Sequence, residues 1–173
     1  MDEVSVDMLS SLCFKYNEKY NKNLKVSDIK TYNLAQYIGN EGFEIINKPG
    51  FFMQLQAIGG AIETIKKLIN NGLYEVFIVS SPMNEHSVFE KFLWVKEYLP
   101  FFNIRNLILV GNKGELLEKL DGNGILFDDC PDYVRRFRGI TVVMDREYNK
   151  DIKCDFRVSN WDEFYKVVKE ILK

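Results

Sequence analysis

Asp128 and Asp129 stand side by side at the end of a short apolar run, Ile125-Leu126-Phe127, in the stretch GILFDDCPDYV. Runs of this kind sit buried in sheets. Adjacent carboxylates at such a tip are costly unless paired, hydrogen-bonded or bound to a metal. Two other apolar runs end in polar residues of complementary kinds: Glu75–Val79 leads into Ser80-Ser81-Pro82, and Leu107–Val110 leads into Gly111-Asn112-Lys113. In open α/β sheets, ligands bind beyond the C-terminal ends of the strands. Two hydroxyls, one ammonium and two carboxylates at one such edge would meet the needs of a phosphate with Mg2+. Those needs are hydroxyl and backbone N–H donors, a positive charge and hard oxygen ligands.

Taken singly, several of these residues have simpler readings. Ser80-Ser81-Pro82 reads equally as a strand-ending turn, Lys113 as a solvated lysine at a helix start, and Asp132 after Pro131 as a favourable charge in a first helical turn. The Asp128-Asp129 pair resists such a reading, because turn chemistry does not ask for two carboxylates directly after a buried run. The order of the pieces also matters. Response-regulator receiver domains combine an acidic pair, a hydroxyl and a lysine at strand ends, but with the acidic pair first in the chain. Here it comes last, and the receiver reading fails.

The elements that must position these groups are legible from Tyr74 onward, where short apolar runs alternate with helical patterns. Beyond the three strands above, Thr141–Met144 and Asp155–Val158 read as strands. Between them, Glu85–Leu99 reads as a helix with Val88, Phe92, Val95 and Leu99 on one inward face. A last helix opens at Asn160, with Glu163 completing a capping signal and Phe164, Val167, Val168 and Ile171 facing the core. A helix carrying Ala61, Ile62, Ile65, Leu68 and Ile69 precedes the first strand and ends at Gly72. The expectation is an α/β fold: a Rossmann-like parallel sheet covered by helices on both faces. Residues 7–57 show helical patterns rich in Tyr, Asn, Lys and Phe and no convincing strand. They are expected to form a small helical cap on a core built from residues 1–6 and 58–173.

Composition narrows the chemistry further. The 173 residues carry a net charge of −2, with 46% hydrophobic and 28% charged residues, which suits a soluble globular domain and gives no general attraction to nucleic acid or anionic membrane. No apolar run is long enough to span a bilayer, and no secretory signal pattern is present. Three widely spaced cysteines, Cys13, Cys130 and Cys154, read as reduced thiols in a cytoplasm. With His86 the single histidine, histidine relays and His-rich metal sites are excluded as a general basis for catalysis, and carboxylates are left to carry it.

In this order the pieces resemble the haloacid dehalogenase-like phosphohydrolases, and within them the 5′(3′)-deoxyribonucleotidase family. The superfamily's second motif, a Ser or Thr at a strand end, is matched by Ser80. Its third, a Lys, is matched by Lys113 in LVGNKGELL, and its fourth, an acidic pair, by Asp128 and Asp129. SSP is similar to the nucleotidase family's Thr-Ser-Pro, and FDDCPD to its Asp-Asp-x-Pro. PGFFMQLQAIGGAIE, residues 49–63, is similar to its segment linking cap to core. The first motif, Asp-x-Asp at the end of a buried strand, is matched in MDEVSVDML only from its middle: Met1 takes the middle position and Asp2 the second aspartate. The first aspartate, which is the family's nucleophile, and its strand fall ahead of Met1. The reading is a truncated chain, with a shortened, inactive relative as the alternative.

The resemblance implies a fold, a cofactor and roles. Mg2+ would be held by Asp128, Asp129, the backbone carbonyl of Asp2 and the absent aspartate. That aspartate would attack the phosphorus of a nucleoside monophosphate, and Asp2 would act as general acid and then general base. Ser80 and Lys113 would stabilise the transferring phosphoryl group, with Ser81 adding a contact. Phe51 and Phe52 have two readings, stacking on the base or packing between cap and core. The absent strand would lie in the middle of the sheet, leaving its two neighbours unpaired there. The partner implied is a small nucleotide rather than a nucleic-acid polymer or a membrane. A non-catalytic nucleotide or phosphate binder stands beside the enzyme reading.

Overall fold

The computed structural model describes residues 1–120 and 122–171 and consists of parallel strands flanked by helices. Helix α1, Met8–Tyr20, begins at Asp7, whose carboxylate accepts from the Ser10 N–H and so satisfies one of the open donors at a helix start. Helix α2, Ala35–Ile46, packs against α1. After a short 3-10 turn at Phe52–Gln54, α3 covers Ala61–Asn70. It ends as expected, with Gly72 at φ 68°, a left-handed conformation that glycine adopts without penalty.

The first ladder pairs β1, Ile78–Ser80, with β2, Leu107–Leu109, in parallel. Helix α4, Glu85–Tyr98, connects them, and α5, Lys113–Lys119, follows β2. The second ladder runs β3–β4–β5: Ile125–Asp128, Ile140–Met144 and Phe156–Val158, all parallel. Helix α6, Pro131–Arg136, opens with proline in its first turn, where the missing N–H costs nothing, and α7, Trp161–Ile171, closes the described chain. All five strands fall where the apolar runs indicate. The first is shorter than expected, because the parallel partner begins only at Leu107 and meets Ile78; residues 75–77 stay outside the ladder.

The sheet is interrupted. Among the described residues β1–β2 and β3–β4–β5 form two separate ladders. Residues 1–6 lie near the ends of both. Asp2 reaches a lysine of α4 that also holds Ser80 at the end of β1, while the Glu3 carbonyl and carboxylate accept from Arg146, just past β4. The chain leaves this region and returns to it through a paired neck. Asp7 N–H donates to Gln56 O, and Ile58 N–H donates to Ser5 O, beside a bridge between Val6 and Ala57.

The core is aromatic on the β3 side. Phe127 stacks on Phe164 with centroids 4.0 Å apart, and Trp161 meets both rings edge-on. The Trp161 Nε1–H donates to Val4 O at 2.7 Å, pinning the first residues onto α7. Burial of side chains this size is worth roughly 1.5–3 kcal/mol each. Helix α4 departs from expectation. Val88, placed on its inward face from the sequence, is 44% exposed. Val95 and Leu99 are buried as the sequence indicates, and the buried face also carries Ser87, Glu90, Lys91 and Trp94. Among the described residues no helix is long and apolar enough to cross a membrane.

Candidate active site

Each group sits at an element end that fixes it. Ser80 closes β1 and is 3% exposed. Lys113 is the first residue of α5, whose start is capped by Asn112 accepting from Glu115 N–H. Its own N–H donates to Ser81 Oγ at 3.1 Å. Asp128 closes β3, and its Oδ1 accepts from the Cys130 N–H at 2.9 Å. Lys113 is not a solvated surface lysine: its ammonium is buried, ion-paired to Asp128 Oδ2 and set over the Tyr133 ring. Burial alone would lower the Lys113 pKa, but the adjoining Asp128 carboxylate raises it above its ordinary value.

Asp129 is the uneasy member of the acidic pair. Burial and then the charge of Asp128 push its carboxyl up to about 7. The Tyr148 hydroxyl donates to its Oδ2 at 2.6 Å, and Asn149 Nδ2 donates to its carbonyl at 2.9 Å. Asp2 is ionised: burial works to raise its pKa, yet the Lys91 ammonium and the other nearby positive groups bring it below the usual aspartate range. Lys91 donates to both Asp2 Oδ2 and Ser80 Oγ, the latter at 2.9 Å. Asp2 Oδ1 is buried and has no hydrogen-bond partner among the described residues.

Asp2, Ser80, Ser81, Lys113, Asp128 and Asp129 are thus joined in one network, running Asp2–Lys91–Ser80 and on through the adjacent Ser81 to Lys113–Asp128–Asp129. Phe51 and Phe52 stand apart from solvent, 3% and 2% exposed, with their rings edge to face at 5.2 Å. This arrangement favours packing within the protein over stacking on a base.

A divalent cation suits part of this set. Among the described residues no three His, Cys, Asp or Glu side chains are gathered as a ready metal cage. Mg2+, however, normally takes one or two carboxylates and fills its remaining positions with water and substrate phosphate. The buried pair Asp128 and Asp129 would offer two such hard ligands, and a cation there would offset the burial and the Asp128 charge that together raise the Asp129 pKa.

Several residues of this centre escape sequence reasoning. Lys91 and Glu90 lie on a helix, away from any strand end. Their signal is a polar stripe, Ser87, Glu90, Lys91 and Trp94, at helical spacing. The loop Asp145-Arg146-Glu147-Tyr148-Asn149 follows β4, so the strand-end rule applied to a fourth strand reaches it. That loop ties the centre together. Arg146 holds Glu3, Tyr148 and Asn149 hold Asp129, Glu147 pairs with Lys30 at 2.6 Å, and Arg157 braces the loop from below through Asp145 and Asn149.

Comparison with known proteins adds a family. The model of the 5′ nucleotidase, deoxy (pyrimidine), cytosolic type C protein family matches residues 1–172. A 5′(3′)-deoxyribonucleotidase of Clostridium acetobutylicum is 33% identical over 154 residues, covering 86% of this chain and 81% of the relative. One of Bacillus subtilis is 30% identical over 166 residues, covering 94% and 92%. A protein of Staphylococcus epidermidis described as a putative 5′(3′)-deoxyribonucleotidase is 30% identical over 165 residues, covering 93% and 88%.

Proposed function

The chain belongs to the 5′ nucleotidase, deoxy (pyrimidine), cytosolic type C family of phosphomonoester hydrolases, and on that premise we propose that it is a Mg2+-dependent phosphatase of deoxyribonucleoside and ribonucleoside monophosphates. The observation that carries the reading is the single network joining Asp2, Ser80, Lys113 and Asp128. In this reading residues 7–57 are the cap, and residues 1–6 with 58–173 the catalytic core, of a cytoplasmic enzyme.

The phosphoryl group is received by the Ser80 hydroxyl, the Lys113 ammonium and Ser81, which meet developing charge with donors already in place. Asp128, Asp129 and the Asp2 carbonyl hold Mg2+, which when bound supplies Lewis-acid charge to the phosphoryl oxygens. The resemblance gives the nucleophile as the first aspartate of the family's Asp-x-Asp, the motif in which Asp2 takes the second position. The nucleophile's oxygen bonds to phosphorus as the ester P–O bond breaks. The bonding pair leaves with the nucleoside oxygen, which takes a proton from Asp2. Asp2 then removes a proton from water as that water attacks the aspartyl-phosphate, releasing phosphate. The negative charge of an arriving phosphate raises the proton affinity of Asp2 and prepares it for the acid step.

The reading is tested on residues 1–173 by calorimetric titration with a nucleoside monophosphate and with the parent nucleoside, each with Mg2+. Binding is expected for the monophosphate alone and should weaken about tenfold or more in Lys113→Met, since hydrogen bonds to charged groups are the stronger ones. Equal binding of nucleoside and monophosphate would overturn it.

A further inference from the structure

We propose that Lys91 is a positioning residue of the phosphate centre, which fixes the donor direction of Ser80 and selects Asp2 Oδ1 as the oxygen that faces the substrate. The inference rests on the phosphatase reading and extends it to a residue outside the four family motifs. Lys91 is 0% exposed, an unusual state for a lysine. Its ammonium is enclosed by three groups: the Asp2 carboxylate, Ser80 Oγ at 2.9 Å, and the ring of Phe52, whose centroid is 5.0 Å away.

Each contact has a directional consequence. An ammonium has donors and no acceptor, so Ser80 Oγ must accept from it. The Ser80 proton is thereby directed away from Lys91, and the hydroxyl is left to donate to a phosphoryl oxygen. Likewise Lys91 engages Asp2 through Oδ2, while Oδ1 is buried and has no hydrogen-bond partner among the described residues. One buried cation therefore sets the orientation of two groups from different parts of the chain. The adjacent Glu90 anchors the same helix turn to the cap junction. Its carboxylate accepts from Gly50 N–H at 2.6 Å and from Phe52 N–H at 2.9 Å. Phe52 is thus fixed against the ammonium it covers.

The test is a double-mutant cycle on residues 1–173, reading the affinity for inorganic phosphate with Mg2+ by calorimetry. The four proteins are the wild type, Lys91→Met, Ser80→Ala and the double variant. Lys91→Met should weaken phosphate binding about tenfold or more. In the Ser80→Ala background the same change should cost less than about threefold, because much of its effect passes through the hydroxyl. A residue that merely supports the fold would lower affinity by the same factor in both backgrounds, and that result overturns the proposal. So does an unchanged affinity in Lys91→Met. Should Lys91→Met fail to fold, Lys91→Gln keeps a polar tip in the same channel and is read in the same way. If the wild type binds phosphate and needs Ser80 while the cycle is additive, only the role of Lys91 falls. If the wild type binds neither phosphate nor a nucleoside monophosphate, the phosphatase reading falls with it.

Discussion

Asp129 and Glu3 are both buried carboxyls raised to about 7, for different ends. At Asp129 the raised value comes from burial and the neighbouring Asp128, and a cation between them would reverse it. Millimolar Mg2+ should therefore raise the melting temperature of residues 1–173, since a ligand of the native state stabilises by about 2.7 kcal/mol at a hundred times its Kd. In Asp129→Asn the shift should shrink markedly. Equal shifts in the two proteins would put the ion elsewhere. Glu3 is held differently: its carboxylate accepts from Leu9 N–H at 2.7 Å and from Arg146, in a residue with φ 56°. Its ordinary value of 4.5 is raised to about 7 by burial above all. Between those two values the unfolded chain binds fewer protons than the folded one at this residue. The contribution of Glu3 to stability is therefore full below pH 4.5 and lost as pH rises through 7. A shift of this size amounts to about 3 kcal/mol. Urea denaturation at a series of pH values should show wild type losing stability relative to Glu3→Gln across that window. A constant difference would refute the assignment.

Helix α4 shows at the element scale why part of the centre was hidden. Its apolar residues suggest an inward face through Val88, Phe92, Val95 and Leu99; Val95 and Leu99 are buried, but Val88 is exposed and the helix also turns Ser87, Glu90, Lys91 and Trp94 inward. Hydrophobic periodicity finds the part of a face that is buried in hydrocarbon and misses the part that buries a lysine and a glutamate. The strand ends misled less: Ser80, Lys113, Asp128 and Asp129 all lie where an apolar run stops. Glu90 supports the cap junction through two backbone donors. Replacing it with alanine leaves both N–H groups without their acceptor, at about 1–3 kcal/mol each. Glu90→Ala should therefore lose about 2–6 kcal/mol in urea denaturation, while Glu90→Gln, which keeps an acceptor, should lose less. A loss below about 0.5 kcal/mol, typical of an ordinary surface substitution, would show that the junction does not depend on it.

At the scale of the whole molecule, alternating runs from residue 74 onward were enough to read a parallel α/β fold, because each strand is a short apolar segment between amphipathic helices. The break between the two ladders has no signal within the strands, since no residue within β1 or β3 announces which strand it lies beside. The loop at residues 145–149 and its links to Glu3, Asp129 and Lys30 were not legible, being contacts across distances of up to 143 residues that no local pattern encodes. The central proposal is that Asp2, Ser80, Lys113, Asp128 and Asp129 form a phosphatase centre. The most direct measurement is phosphate release from a panel of nucleoside monophosphates, deoxy forms included. It compares residues 1–173, the same chain extended by an apolar strand ending in aspartate directly before Met1, and the extended Asp2→Asn variant. The extended chain should release phosphate in a Mg2+-dependent way and residues 1–173 little or none, with Asp2→Asn slower by about 10²–10⁴-fold, the usual worth of a positioned acid–base. An extended chain that folds and binds Mg2+ but releases no phosphate from any of them would contradict the account and leave a nucleotide binder in its place.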